Sequence, residues 1–248
     1  MSKIVIFSGA GLSADSGLGV FRGSNGLWNN YDINKVCNIN TWEENYNLVH
    51  EFYSKRRKEY LNAVPNSMHK MIANLQNEYG AERVIVITQN IDNLLEKAGC
   101  TNVQHLHGFI NFIHCTNCGK EYYIEDDFVS KKCDRCGCTH FKPSIVFFGE
   151  AAPEYEKMYI SILSLDENDG ICVIGTEGSV IPIAQIIGPM PGNETNSKLR
   201  GIKAKRLLCN LEKSKYLPES IFNEIIYDRA EVSSSRIYDF CKEILNSK

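Results

Sequence analysis

The sequence has no apolar run near the roughly 20 residues of a membrane-spanning helix, so no membrane partner is expected. It has no surplus of positive charge either. Its 27 Lys and Arg face 30 Asp and Glu, for a formal net charge of -3. That balance removes the electrostatic basis for nucleic-acid binding. Internal repeats and low-complexity tracts are absent, which sets aside solenoids and disordered arrays. The opening stretch "MSKIVIFSGAG" carries one lysine before a short apolar run that passes straight into glycines. A secretory leader has a longer apolar region and a small-residue cleavage site, so a cytoplasmic chain is expected.

What is present is an ordinary globular balance: 248 residues, 28.1 kDa, 43% hydrophobic and 23% charged. That length suits one large domain, or one domain carrying a smaller insert. The continuous apolar runs "KIVIFS", "RVIVIT", "ICVIG" and "KRLLCN" read as strands buried on both faces of a parallel sheet. Helical stretches separate them. One opens at "TWEE", where Thr41 and Glu44 suit a capping box, and runs to Leu61. Another begins near Pro65, carries Met68, Met71, Ile72 and Leu75, and stops at Gly80. Two more follow Pro153 and close the chain. Strand alternating with helix predicts an α/β fold with a doubly wound parallel sheet. Residues 110–142 and the Pro/Gly/Asn-rich stretch 188–202 break the pattern, the second as a surface loop.

Five of the ten cysteines crowd between Cys115 and Cys138. Cys115 and Cys118 form one C-x-x-C pair, and Cys133 and Cys136 a second. Two such knuckles in one short insert can place four thiolates around a single Zn²⁺, a closed and therefore structural site. Cys138 and His140 are spare donors nearby. Disulfides fit less well, because the cysteines are spread through a large chain.

"GAGLSADSGLGVFRG", Gly9 to Gly23, follows the first strand directly. Strand, glycines, helix is how a dinucleotide-binding unit begins, since glycine lets backbone approach a pyrophosphate at a helix N-terminus. The pattern is G-A-G-x-S rather than G-x-G-x-x-G, so a simple tight turn stays open at this point. "TQNIDNL" puts Gln89, Asn90 and Asp92 at the end of the strand "RVIVIT", where ligands sit in open α/β sheets. A cap on the next helix is the plainer alternative for Asn90 or Asp92. "QHLHG" holds two of only six histidines. A histidine titrates near neutrality and suits a general base, although most are structural or solvated. "HEFYSKRRKEY" reads first as a charged helix face, yet Tyr53 and Arg56, three apart, share one side of it.

In order and spacing, "GAGLSADSGLGVFRG", "TQNIDNL", "HLHG", "VFFGE" and "GTEGSV" resemble the sirtuins, NAD-dependent protein lysine deacylases. The resemblance covers nearly the whole chain. It implies a Rossmann-like NAD-binding part at residues 1–34, 81–110 and 143–248, a helical part at 35–80 and a zinc-ribbon module at 111–142. Gly9, Ala10, Gly11 and Ser13 would wrap NAD's phosphates, with Phe21 and Arg22 closing over the nicotinamide end. Gln89, Asn90, Ile91 and Asp92 would meet the ribose and the nicotinamide carboxamide. Gly175, Thr176, Glu177, Asn210, Leu211, Glu212 and Ala230 would line the adenosine side. His107 matches the family's catalytic base, Asn90 would position water and ribose, and His105, His114 and His140 are left as structural. Phe147 to Glu150 would border the channel where an acyl-lysine peptide adds as a strand. In the branch that removes acidic acyl groups, a tyrosine and an arginine at this spacing bind the acyl carboxylate, the guanidinium in a bidentate fork. Tyr53 and Arg56 match them, Cys37 falls where that branch keeps a small residue, and Arg57 is expected to be solvated. The implied reaction moves an acyl group from lysine to ADP-ribose, releasing nicotinamide and 2′-O-acyl-ADP-ribose, in a monomer.

Some positions depart from the pattern. Glu177 stands where the family has serine, and a carboxylate beside a pyrophosphate would repel it by about 1 kcal/mol or more at ~4 Å. Val20, Asp228, Arg229 and the stretch 188–202 also differ from family usage. Two other functions use the same scaffold: NAD hydrolysis or mono-ADP-ribosylation without acyl-lysine, and NAD binding without catalysis.

Overall fold

A computed structural model describes residues 1–20, 31–189 and 201–247. Phe21, Arg22 and most of the 188–202 stretch lie outside the described residues. In chain order the elements are β1 (Ile4–Ser8), α1 (Gly11–Ala14), α2 (Ile33–Val36), α3 (Tyr46–Asn62), α4 (Ser67–Tyr79), β2 (Val84–Thr88) and α5 (Leu94–Ala98). They continue with β3 (Gln104–His105), β4 (Gly108–Cys115), β5 (Glu121–Tyr123), β6 (Phe141–Ile145), α6 (Glu154–Leu163) and β7 (Gly170–Ile174). The last are α7 (Ile183–Ile187), β8 (Lys205–Asn210), β9 (Glu224–Tyr227) and α8 (Ser234–Leu245). No described helix is long and apolar enough to cross a membrane.

Six parallel strands form the main sheet in the order β3-β2-β1-β7-β8-β9. The fold is the expected Rossmann-like, doubly wound α/β sheet. Every residue of β1 and of β7 is buried, because helices cover both faces. Ile4 and Ile6 point to the face held by Met68, Ile72 and Leu75 of α4 and Ile237 and Ile244 of α8. Val5 and Phe7 point to the other, against Met158 and Ile162 of α6 and Ile183 of α7. From β1 the chain builds outward to β2 and β3, then returns to place β7 on the other side. The switch point therefore lies between β1 and β7, and ligands bind beyond the carboxyl ends of strands at such a point.

Helix α3 starts later than "TWEE" predicts. Residues 41–45 are a turn, because the Thr41 hydroxyl donates to the Asn34 carbonyl and Trp42 is buried in the core beneath α3. Helix α4 keeps its expected ends. Asn66 caps it reciprocally with His69, and Gly80 closes it at φ 89°. Although α4 falls in the span read as the helical part, its apolar face packs on the main sheet, whereas α3 packs with Val36, Phe147 and Ile110. A three-stranded antiparallel sheet, β5-β4-β6, carries the cysteine cluster, and its strands extend past both ends of the 111–142 segment.

Candidate active site

The glycines after β1 are required by a backbone-to-backbone contact with the loop after β7. Gly11 N–H donates to the Gly175 carbonyl at 2.8 Å, and Gly9 N–H to that of Ile174 at 2.9 Å. A Cβ on Gly11 would lie 2.6 Å from the Gly175 Cα, and one on Gly175, which sits at φ +61°, would lie 2.5 Å from the Gly11 carbonyl carbon. Gln89 ties a third loop to these two, its Nε2 donating to Thr176 Oγ1 at 2.9 Å. Asn210 ties the end of β8, accepting from Thr176 N–H at 3.1 Å and donating to the Thr176 carbonyl at 2.8 Å. Four strand ends thus meet at the switch point.

Below them lies a fully specified polar network. His69 Nδ1 accepts from Asn66 N–H, so its proton is on Nε2, which donates to Ser13 Oγ at 3.4 Å. Ser13 also accepts from Asn90 Nδ2 at 3.1 Å and donates to Asp92 Oδ2 at 2.9 Å. The other Asp92 oxygen accepts from the N–H of Leu94, the first residue of α5, so Asp92 also ties down the start of that helix from one residue before its N-cap, Asn93. Burial raises the pKa of Asp92, an effect opposed by the hydrogen bonds from Leu94 and Ser13. Asn90 is buried, and its Oδ1 has no hydrogen-bond partner among the described residues. It lines a small cavity with Ala10, Ser13, Tyr60, Ile91 and Asp92, between the sheet's loops and α3. A buried amide oxygen without a partner costs about 1–3 kcal/mol, a cost that a donor from a bound molecule would remove.

His105 and His107 grip the same loop by successive carbonyls. His105 Nδ1 meets Asn90 O at 2.8 Å, and His107 Nδ1 meets Gln89 O at 3.0 Å. A carbonyl only accepts, so both Nδ1 atoms carry protons and the second nitrogens differ. Burial works against charge on His105, but Glu96 at 2.8 Å from Nε2 outweighs it and raises its pKa. Burial lowers the pKa of His107, and no charged partner among the described residues opposes it. His107 is therefore neutral with a lone pair on Nε2, which meets Tyr155 Oη at 3.0 Å. Only one of the two histidines has a base's electronic state.

Of the remaining predicted cofactor residues, Leu211 is 72% exposed and Glu212 is exposed, both just past β8. Ala230 is buried in the core beside α8. Glu177 is exposed, and its carboxylate accepts from Ser179 Oγ at 3.0 Å.

Tyr53 and Arg56 are both buried, at 2% and 5% exposure. Tyr53 stacks on Phe147 at 5.9 Å and hydrogen-bonds the Cys37 thiol. Arg56 lies over Phe52 and Tyr31, with Nη2 at 2.5 Å from Glu59 and Nε buried without a partner among the described residues. The two side chains share a helix face but hold different partners. Arg57 is not solvated. It is 1% exposed and donates to the carbonyls of Asp126 and Ile110 and to Ser54 Oγ, so burial brings its pKa down to about 10. Phe147 is buried, and Lys142 lies 3.8 Å over its ring while pairing with Glu150 at 2.9 Å.

Cys115, Cys118, Cys133 and Cys136 converge as expected, with all four sulfurs within 4.8 Å of one another. Cys115 to Cys136 is 3.5 Å and Cys118 to Cys133 is 3.6 Å. A tetrahedral site with Zn–S near 2.3 Å needs edges of about 3.8 Å, so the set fits zinc. Each knuckle turns on a glycine just after it, Gly119 at φ 70° and Gly137 at φ 77°. Cys138 lies outside the quartet, its sulfur accepting from His140 N–H.

Two site residues had no sequence expectation. His69 sits on an apolar helix face, where only its capping-box position marks it. Tyr155 belongs to an ordinary amphipathic helix and carries no local pattern.

Residues 9–182 match the Sir2 family model. A protein named NAD-dependent protein deacylase from Helicobacter hepaticus is 40% identical over 242 residues, covering 92% of each chain. The solved structure of a Sir2 homologue mutant in complex with ADP-ribose superposes with a TM-score of 0.81 at 28% identity, covering 99% of this chain and 94% of that one. A Sir2 homologue in complex with NAD gives 0.79 at 28% identity, over 98% and 91%. By sequence and by fold, the chain belongs to the Sir2 family.

Proposed function

We propose that the chain is an NAD-dependent protein lysine deacylase that takes acidic acyl groups, such as succinyl, malonyl and glutaryl, and acetyl as well. The observation that carries this reading is that one loop holds a neutral His107 through the Gln89 carbonyl and, next in sequence, Asn90 with an Oδ1 that has no hydrogen-bond partner among the described residues. The deacylase name of the Helicobacter hepaticus relative and the NAD and ADP-ribose complexes of the structural neighbours support it.

NAD supplies, when bound, the ADP-ribosyl group that receives the acyl chain as nicotinamide leaves. Gly9, Ala10, Gly11 and Ser13 would hold its phosphates. Gln89, Asn90, Ile91 and Asp92 would hold the ribose and carboxamide, and Gly175, Thr176, Asn210, Leu211, Glu212 and Ala230 the adenosine side. Glu177 is exposed and accepts from Ser179 Oγ, so water would screen the repulsion between its charge and the pyrophosphate. His107 Nε2 would accept the proton of a ribose hydroxyl, with the Gln89 carbonyl steadying the charged ring through Nδ1–H. One water would enter as acyl-lysine and NAD become lysine, nicotinamide and 2′-O-acyl-ADP-ribose.

Acidic selectivity rests on Arg56. A buried guanidinium whose Nε–H is unused among the described residues, and whose ion pair there is with the half-exposed Glu59, has a donor for an acyl carboxylate. The Tyr53 hydroxyl would become a second donor by exchanging its Cys37 partner for the carboxylate. The test is a peptide series carrying acetyl-, succinyl-, malonyl- or glutaryl-lysine with NAD, followed by mass spectrometry. Removal of acidic groups at least as fast as acetyl supports the reading. Acetyl removal alone overturns its acidic part, and no removal overturns the whole.

A further inference from the structure

The geometry points to Tyr155 as a positioning residue for the base: its hydroxyl holds Nε2 of His107 until a ribose hydroxyl takes that place. This rests on His107 being the base proposed above. With Nδ1–H spent on the Gln89 carbonyl, Nε2 of the neutral ring can only accept, so Tyr155 Oη is the donor across 3.0 Å. The contact is a hydrogen bond rather than a ring stack, since the ring centroids are 6.2 Å apart and tilted by 49°. Burial raises the Tyr155 pKa, so the phenol keeps its proton.

Helix α6 is anchored to deliver that hydroxyl. Tyr155 lies in its first turn, with Met158 and Ile162 fully buried on the sheet. Gln104 Nε2 donates to the Glu154 carbonyl at 2.6 Å, tying the helix start to β3, two residues before His107 is reached. The Tyr155 ring itself is only half-buried, so its hydroxyl can leave without unpacking the core.

Among the described residues, the charged groups on the surrounding elements are engaged elsewhere. His105 and Glu96 pair with each other, and Asp92 serves Ser13 and Leu94. Glu150 pairs with Lys142, and Glu154 with Lys157. The base is thus governed by burial, by the Gln89 carbonyl and by the phenol. In the resting enzyme the phenol stabilises neutral imidazole, because a donor to the lone pair opposes protonation. With NAD bound, a ribose O–H would replace the phenol at Nε2, which would receive that proton while Tyr155 keeps its own.

This predicts a split that a packing role would not produce. The acid limb of kcat/KM for NAD reports the free enzyme and that of kcat reports the complex. In Tyr155→Phe the kcat/KM limb moves to higher pH by about 0.5–1 unit, given an ordinary hydrogen bond, while the kcat limb stays in place. The NMR titration of the His107 C2–H, without substrate, moves upward by the same amount, a readout that does not need turnover. Limbs that both stay put or both move, or an unmoved titration, overturn the inference. Those outcomes leave the deacylase reading intact as long as the wild type deacylates peptide and His107→Ala does not.

Discussion

Ser13 Oγ donates to Asp92 Oδ2 across 2.9 Å and so joins the loop after β1 to the loop after β2, with His69 behind it. The three side chains come from separate stretches of chain, and each is buried. The two loops that would hold NAD are therefore set against each other by the protein itself.

That network depends on a neutral His69, whose pKa burial lowers to about 4. The unfolded chain binds this proton near pH 6.5 and the folded chain does not, so stability is full above 6.5 and falls as pH drops toward 4. Between pH 7 and pH 5 the loss from one such histidine is about 2 kcal/mol. Chemical denaturation at both pH values checks it. His69→Gln should be less stable at pH 7 and lose about 2 kcal/mol less than wild type on acidification.

Arg56→Met should lower kcat/KM for succinyl-lysine peptide by about 100-fold, the loss of one charge-assisted pair, and leave acetyl-lysine within a few-fold. Kinetics on matched peptides check it. An equal loss on both would mean that Arg56 only supports α3.

Zinc content should be one ion per chain. Cys133→Ser should lose it, and so should chelation, because four closed thiolates hold a module whose own core is only a few buried residues. Elemental analysis gives the count. Limited proteolysis should cut between residues 116 and 140 first, before the parallel sheet opens.

Gly175→Ala should destabilise the fold by at least about 2 kcal/mol, since a side chain at a left-handed φ would also strike the Gly11 backbone. A thermal melt measures it. Gly17→Ala, at φ +83° with nothing within 4 Å, should cost only the backbone strain.

The sheet was legible because β1, β2 and β7 are short apolar runs, and β8 holds one after Lys205 and Arg206, as strands buried on both faces do. Strand β3, two residues long, and β9 were not, since neither carries a pattern of its own. The start of α3 was misplaced because Thr41 bonds Asn34 instead of capping, a choice made by contacts between segments. Arg57 shows the same limit, because three oxygens from other parts of the fold satisfy a guanidinium that composition assigns to water. At the site, the cysteine quartet could be read from spacing alone. His107 could be picked from its neighbour His105 only by resemblance, and the physical difference emerged with Glu96 on one ring and Tyr155 on the other.

The most direct test of the whole reading measures nicotinamide release and peptide deacylation in the same sample, with wild type and His107→Ala. One nicotinamide per lysine freed, O-acyl-ADP-ribose in equal amount, and a loss of about 100-fold or more in the variant is the predicted result. Nicotinamide released without acyl peptide, with every peptide left intact, would contradict it and make the protein an NAD-cleaving enzyme of another kind.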